Sequence, residues 1–139
     1  MWRLFYHAVW STEGGQAILE GDVRRLVYMA VRRKADELKV TVHALGGTKD
    51  HVHVVLTIPP QLAVADCIRS LKLASAQEVN RRLGPKTPLL PPLRWARGYG
   101  VFTFGERSLP TVVDYVHRQE VLHAEGETKP YYERMDDGR

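Results

Sequence analysis

Two histidines separated by one residue, His51 and His53, are the side chains of this sequence best suited to chemistry. They open an apolar run that ends at Pro59, and this pattern predicts a β-strand over residues 51–58. Side chains two residues apart on a strand point to the same face, so both imidazoles share a face with Val55. Two neutral imidazoles at this spacing can bind one divalent metal ion. The alternative is a pair of half-buried histidines with a structural role only.

A second pair of candidate groups, Tyr115 and Gln119, lies downstream in a segment with helical features. Pro110 suits the first turn of a helix, with Ser108 before it as a cap and Gly126 after it as an end. Residues four apart lie on one face of a helix, so the phenol and the amide are predicted to be presented together. Taken alone, such a pair is more often a packed aromatic ring and a solvated amide.

Three blocks of this sequence resemble the HUH single-tyrosine transposases of small bacterial insertion sequences and the related transposases associated with repetitive extragenic palindromes. The blocks are residues 50–55, 95–102 and 115–119, and the resemblance extends from Tyr6 to His123. The two-histidine motif by itself also occurs in relaxases and replication initiators. The order and spacing of all three blocks make the resemblance more specific than that motif.

The resemblance implies that Tyr115 is the nucleophile and that His51, His53 and Gln119 are metal ligands, with Mg²⁺ or Mn²⁺ as the ion. Ligand softness alone favours manganese, cobalt or zinc over magnesium. The activity implied is that of a single-stranded DNA transposase or endonuclease. Such an enzyme recognises hairpins, cleaves through a 5′-phosphotyrosine intermediate that leaves a free 3′-hydroxyl, and rejoins strands.

The resemblance also implies a homodimer in which the helix carrying Tyr115 is often exchanged between the subunits. Excision of an element requires two DNA ends to be held at once, which two copies of the nucleophile in one assembly would allow. Nothing in the sequence separates an exchanged helix from one that stays in its own subunit.

Other functions stay open from the sequence. A domesticated relative that nicks genomic palindromes would carry the same residues. A non-catalytic nucleic-acid-binding protein with an RRM-like fold would need exposed aromatic rings on its central strands, where this chain offers histidines. A phosphodiesterase that hydrolyses RNA through histidines usually carries the two-histidine motif twice, and this chain has it once.

Charge fits a polyanionic partner, because 20 Lys and Arg against 16 Asp and Glu give a formal net charge of +4. The basic residues expected nearest to the site, Lys72, Arg94 and Arg97, are predicted to contact DNA phosphates. Trp95 and Phe102 are interpreted as core residues in preference to base-stacking surfaces. His7, His43 and His117 are assigned no chemical role.

Length and composition predict one domain over residues 1–139, with a flexible tail from about residue 124. The hydrophobic content of 44% is sufficient for a conventional core. No apolar run reaches membrane-spanning length and no signal pattern opens the chain, so we expect a cytoplasmic protein without membrane contact. The single Cys67 excludes an intramolecular disulfide and is interpreted as a buried thiol.

The elements that must position these residues follow the order strand, helix, strand, strand, helix, strand, helix. This order predicts an α+β fold of the ferredoxin-like or RRM-like sandwich type, with a four-stranded antiparallel sheet, two helices on one face and an additional C-terminal catalytic helix. The first and third strands are central in that architecture, so the Tyr115 helix must cross the open face beside the histidine strand. Strands are predicted at residues 2–10, 40–44 and 51–58, helices at 21–38 and 63–83, an exposed loop at 84–92, and the last strand within 95–102.

Overall fold

Seven principal helices and strands make up the described part of the chain, residues 3–84 and 91–119 of a computed structural model. They are β1 (Leu4–Ser11), α1 (Gly21–Glu37), β2 (Thr41–Gly47), β3 (His51–Thr57), α2 (Val64–Leu83), β4 (Gly100–Gly105) and α3 (Leu109–His117). The strands form one antiparallel sheet in the order β2–β3–β1–β4, so β1 and β3 are central. The predicted fold class and element order are confirmed.

Alternation along β3 divides the interior into two layers. Val52, Val54 and Leu56 are fully buried and pack with α1 and α2 in the larger core. Val55, on the other face, packs with Tyr115 and neighbouring residues of α3 in a smaller core. Each large aliphatic side chain buried in this way stabilises the fold by about 1.5–3 kcal/mol. The sheet therefore separates a structural face, covered by α1 and α2, from a face covered by α3.

Helices α1 and α2 form because their apolar residues recur at intervals of three and four, which gives each helix one apolar face. The buried residues are Val23, Leu26, Val27, Ala30, Val31 and Ala35 on α1, and Cys67, Ile68, Leu71, Ser75 and Val79 on α2. Both helices lie on the same face of the sheet and pack against each other.

Strand β2 is longer than predicted and continues to Gly47, whereas the sequence predicted its end at Ala44. Gly46 and Gly47 fall between the predicted strands at 40–44 and 51–58, where the sequence places the hairpin turn, but they pair with His53 and Val52 of β3. A side chain at Gly46 would meet the backbone of α3, so this glycine serves close packing instead of a turn. The turn of the hairpin is therefore confined to residues 48–50.

The last strand and the last helix also differ from their predicted bounds. Strand β4 begins at Gly100, and Trp95 forms only an isolated bridge with Thr12. The ammonium of Lys72 donates hydrogen bonds to the carbonyls of Ala96 and Gly98, which holds the intervening segment out of the ladder. Helix α3 ends at His117. Its predicted end at Gly126, the tail from about 124, residue 2 and residues 85–90 lie outside the described residues.

None of the helices in residues 3–84 and 91–119 combines the length and apolarity needed to cross a membrane.

Candidate active site

His51 and His53 lie side by side on β3, on the face that α3 covers. His53 is fully buried, pairs with Val9 of β1 and with Gly46 of β2, and so occupies the middle of the sheet. His51 pairs with Ser11 at the end of β1 and is partly exposed. The two ring centroids are 5.1 Å apart. The structure therefore brings the two imidazoles together as their spacing predicted.

Tyr115 is held against these imidazoles by α3. Pro110 occupies the first turn of the helix as predicted, whereas Ser108 makes no side-chain capping bond. Val112, Tyr115 and Val116 form the buried face of α3 and pack on the sheet. The ring of Tyr115 is edge-on to that of His53, with centroids 5.9 Å apart. The predicted nucleophile and one predicted ligand are thus neighbours in the same chain.

Close contact between α3 and β2 depends on Gly46. A Cβ atom built on this residue would lie 2.3 Å from the carbonyl oxygen of Val116, far closer than van der Waals contact allows. Any larger residue would therefore push α3 away from the sheet. Since Gly46 pairs with His53, this close approach of α3 to β2 lies directly beside the site.

Gln119 is fully buried but lies two residues beyond the end of α3. Arg118 has φ −102° and ψ 10°, which is a turn conformation, so the helix does not run unbroken from Tyr115 to Gln119. Gln119 is itself in a helical conformation, so the continuous helix predicted from the sequence is interrupted at Arg118. The structure places a buried amide directly after the helix that carries the phenol.

Both imidazoles have their Nδ1 atom engaged in a hydrogen bond. Nδ1 of His51 lies 2.6 Å from a carboxylate oxygen of Asp50 and 2.9 Å from the hydroxyl of Thr48. Nδ1 of His53 lies 2.9 Å from Nε2 of His7, which is itself fully buried. The remaining ring nitrogen of each histidine, Nε2, is the atom that can be offered to a metal ion.

Sequence reasoning gave His7 no chemical role, yet the structure places it beside His53. Its alternation with Phe5 and Val9 shows that these residues share one face of β1. What the sequence lacks is the register, in which Val9 lies opposite His53 and His7 lies opposite Val55. The contact between His7 and His53 depends on that register, so it can be recognised only in the folded sheet.

The donor chemistry of the site fits a divalent ion. Two imidazoles with their Nδ1 atoms engaged, together with an amide oxygen, suit manganese and similar ions, with further oxygen ligands from water or phosphate. Among the described residues, no group of three or more His, Cys, Asp or Glu side chains could hold a metal ion. A metal at this position would therefore depend on the amide of Gln119 or on oxygen atoms from outside the protein.

Two of the predicted phosphate contacts lie at the end of the sheet where His51 is found. The backbone of Ala96 donates to the carbonyl of Ser11, the residue paired with His51. Arg94 and Arg97 flank this point, and both are exposed. Lys72 differs from both arginines, because two of its three N–H donors bond the carbonyls of Ala96 and Gly98. Burial also lowers the pKa of its ammonium group.

Three other side chains considered from the sequence are occupied in hydrogen bonds or packing within the fold. The indole N–H of Trp95 donates to the carbonyl of Lys72, and its ring packs edge-on against Trp10 with centroids 6.0 Å apart. His43 shares a hydrogen bond of 2.7 Å with the hydroxyl of Thr57, and burial together with the nearby charge of Arg3 lowers its pKa. Cys67 is buried, and this burial raises the pKa of its thiol to about 11.

Several known transposases are similar to this chain. It is 28% identical over 119 residues to the transposase for insertion sequence element IS200 of Salmonella typhimurium, which covers 85% of this chain and 78% of the relative. It is 27% identical over 124 residues to the ISDra2 transposase TnpA of Deinococcus radiodurans, covering 86% of each chain.

Two solved structures have a similar fold. A crystal structure assigned to a transposase from Deinococcus radiodurans superposes with a TM-score of 0.67 and 26% identity, covering 86% of this chain and 93% of the other. A REP-associated tyrosine transposase bound to a REP hairpin superposes with a TM-score of 0.64. That match covers 92% of this chain and 72% of the other, and at 12% identity it shows a common fold alone.

The sequence model of one family, described as IS200-like transposases, matches residues 1–119. This range contains every strand and helix described above, including β3 with its two histidines and α3 with Tyr115. The match therefore covers both halves of the site together with the fold that joins them. The chain belongs to the IS200-like transposase family.

Proposed function

We propose that this protein is a single-stranded DNA transposase and endonuclease that recognises hairpins, cleaves through a 5′-phosphotyrosine intermediate and rejoins the strands. The observation that carries the proposal is the approach of Tyr115 to His53, with ring centroids 5.9 Å apart on the α3 face of the sheet. A phenol held beside a pair of imidazoles has the parts needed for covalent cleavage of a phosphodiester.

Tyr115 is the proposed nucleophile. Its phenolic oxygen attacks the scissile phosphorus, a tyrosyl P–O bond forms, and the bond to the 3′-oxygen breaks. The phenol loses its proton and the departing 3′-oxygen gains one, so the products are a 5′-phosphotyrosyl link and a free 3′-hydroxyl. Attack by another 3′-hydroxyl reverses the step, and strand transfer needs no added energy source.

His51, His53 and Gln119 are the proposed ligands of Mg²⁺ or Mn²⁺. When bound, the ion polarises the scissile phosphate and stabilises negative charge on the 3′-oxygen. The three side chains themselves are neutral, so they leave the positive charge of the site undiminished toward the phosphate. Asp50 and Thr48 orient His51 through its Nδ1 atom.

DNA binding is proposed to follow the basic segment beside β1. Arg94 and Arg97 are exposed next to the end of the sheet that carries His51 and can contact phosphates there. Lys72 remains a proposed contact through its third N–H donor, after two donors have bonded the carbonyls of Ala96 and Gly98. The structural neighbour bound to a REP hairpin supports a hairpin as the DNA form recognised.

We further propose that the protein is cytoplasmic and acts as a homodimer. The homodimer follows from the need of such a transposase to hold two DNA ends.

A non-catalytic RRM-like binder is less well supported. Such a protein uses an open sheet surface with exposed aromatic rings. Here α3 packs across β2 and β3, and the centre of that face carries buried His7 and His53.

Replacing Tyr115 by phenylalanine tests the nucleophile directly. The Tyr115→Phe protein should form no covalent adduct with a labelled hairpin substrate on a denaturing gel, while hairpin binding stays within about twofold, because only one oxygen is removed. Tyr99→Phe is the matched control and should still form the adduct. An adduct that persists in Tyr115→Phe would move the nucleophile elsewhere, with Tyr99 as the next candidate.

Removing the metal ligands tests the other half of the site. Excess chelator should stop cleavage, and so should His51→Ala or His53→Ala, since each change removes the divalent ion, or a ligand that holds it, from beside the scissile phosphate. Hairpin affinity, measured by gel shift at fixed salt, should change little because it comes from backbone contacts. Full cleavage in excess chelator would remove the metal from the proposed mechanism.

A further inference from the structure

His7 is a buried polar residue whose position the proposed ligand set does not explain. It lies on the central strand β1, is fully buried, and has Val55 and Phe102 as its strand partners. Burying an imidazole among such residues is unfavourable unless hydrogen bonds compensate. The bond to His53, with 2.9 Å between Nε2 of His7 and Nδ1 of His53, supplies one such compensation.

Two neutral imidazoles at this distance share one proton between their facing nitrogens. In one arrangement His53 donates from Nδ1–H, and His7 accepts at Nε2. In the other, His7 donates from Nε2–H and His53 accepts at Nδ1. Only the first arrangement keeps the lone pair of His53 on Nε2, where a metal ion can take it.

His51 has the equivalent arrangement fixed by a carboxylate. A carboxylate only accepts, so the 2.6 Å contact with Asp50 places the proton of His51 on Nδ1 and the lone pair on Nε2. The two histidines present matching nitrogens only if His7 acts as an acceptor toward His53. Because Nδ1 of each histidine is already in a hydrogen bond, each can ligate the same ion only through Nε2.

We propose that His7 is a positioning residue that accepts the Nδ1–H of His53 and thereby keeps Nε2 of His53 available to the divalent ion. The inference rests on the proposed function, since it takes His53 as a ligand. It does not make His7 a ligand, because a neutral His7 that accepts at Nε2 carries its proton on Nδ1 and has no lone pair left for an ion. Tyr115 lies edge-on to both rings, at 6.1 Å from His7 and 5.9 Å from His53, so the same arrangement borders the nucleophile.

Metal affinity gives the first test. His7→Leu removes the acceptor while keeping similar volume, and His7→Gln keeps an acceptor oxygen. We expect His7→Leu to weaken Mn²⁺ binding, measured by titration calorimetry without DNA, by about 10- to 100-fold, and His7→Gln to restore most of it. His43→Leu removes a half-buried imidazole that bonds Thr57 instead of His53 and should leave Mn²⁺ binding unchanged.

The tautomer of His53 gives the second test, which begins with the unaltered protein. Long-range proton–nitrogen NMR correlations of the metal-free protein should show His53 protonated at Nδ1, and His7→Leu should populate the Nε2–H form. Protonation of His53 at Nε2 in the unaltered protein would overturn the proposal. Unchanged Mn²⁺ affinity in a His7→Leu protein that is folded by circular dichroism would do the same.

The two tests also separate this inference from the function on which it rests. If His53→Ala leaves Mn²⁺ affinity unchanged, the proposed ligand set itself is wrong. If His53→Ala abolishes binding and His7→Leu has no effect, only the positioning role is wrong. Should His7→Leu fail to fold, the tautomer in the unaltered protein and the Mn²⁺ affinity of His7→Gln decide the matter.

Discussion

The imidazoles in the described part of the molecule lie in different environments, and the environment decides what each one contributes. His51 and His53 each use Nδ1 for a hydrogen bond and can offer Nε2 to an ion. His43 bonds a hydroxyl at the far end of the same face, packed edge-on against Phe5 with centroids 5.2 Å apart. His117 is exposed at the end of α3. Residue type alone therefore does not identify a ligand in this fold.

The environment of His43 makes stability dependent on pH. Burial, and then the charge of Arg3, lower the pKa of His43 below the ordinary value of 6.5. The unfolded chain therefore takes up a proton at this residue before the folded chain does, so folding stability falls as pH drops below about 6.5. The loss levels off only below the lowered folded-state pKa.

Replacing His43 by glutamine should reduce this acid sensitivity, because the amide can still bond Thr57 but does not titrate. Urea unfolding at pH 7.5 and 5.5 measures the effect as the difference in unfolding free energy between the two conditions. That difference should be smaller for His43→Gln than for the unaltered protein. Equal differences in both proteins would show that His43 does not contribute to acid destabilisation.

At the level of elements, the sequence predicted best what depends on local periodicity. The alternation on β3 correctly placed Val55 on the face of the two histidines, and the residues between them, Val52, Val54 and Leu56, lie in the larger core on the other face. Helices α1 and α2 were predicted to within one residue at each end, because their apolar stripes and flanking breakers are local signals. Local patterns of this kind need no knowledge of the rest of the chain.

Features that depend on contacts between distant residues were missed. Glycine is typical of turns, yet Gly46 lies within β2. Glycine is needed there because the carbonyl of Val116 occupies the space that a side chain would fill. His7 was assigned no role because its partner is fixed by strand register. The last strand was predicted within 95–102 but begins only at Gly100, and Lys72, from a helix on the structural face, bonds the carbonyls of Ala96 and Gly98 before it.

The Gly46→Ala variant should disturb the packing of α3 on the sheet while the rest of the fold is retained. The added methyl group would lie 2.3 Å from the carbonyl oxygen of Val116, so α3 must shift at a cost of about 1–3 kcal/mol. We expect covalent cleavage to fall at least tenfold, since Tyr115 moves with α3, while hairpin binding changes less. Adduct formation on denaturing gels and gel-shift affinity measure the two effects.

Gly105→Ala provides the matched control for this experiment. A Cβ atom at Gly105 would meet nothing within 4 Å, and its φ of −91° is accessible to alanine. Cleavage and stability should therefore stay close to those of the unaltered protein. Cleavage by Gly46→Ala at the unaltered rate would show that the position of α3 does not limit the reaction.

At the scale of the whole molecule, the larger hydrophobic core and the candidate site lie on opposite faces of the sheet. The larger core lies between the sheet and the α1–α2 pair, while the site lies under a short helix of nine residues. A short helix is only marginally stable by itself, so its position depends on the surface on which it packs. In this chain that surface is its own sheet, through contacts of Tyr115 and Val116 with Ala44 and Val55.

We expect the active species to be a homodimer, with twice the 15.8 kDa mass of the chain. In the proposed mechanism each chain supplies one Tyr115 and therefore one covalent link, whereas excision of an element requires two DNA ends to be held at once. A symmetric pair of identical subunits is the common way to meet that need. Light scattering at the concentration of the strand-transfer assay measures the mass, and full activity of a monomer would contradict the prediction.

Mixed dimers then show which subunit supplies the helix to each site. One subunit carries Tyr115→Phe, and the other carries His51→Ala together with His53→Ala. If α3 stays on its own sheet, as in this structure, each site keeps one defect and the mixed dimer remains inactive. If the helices are exchanged, the intact Tyr115 meets the intact histidines in one of the two sites, and cleavage returns at that site alone.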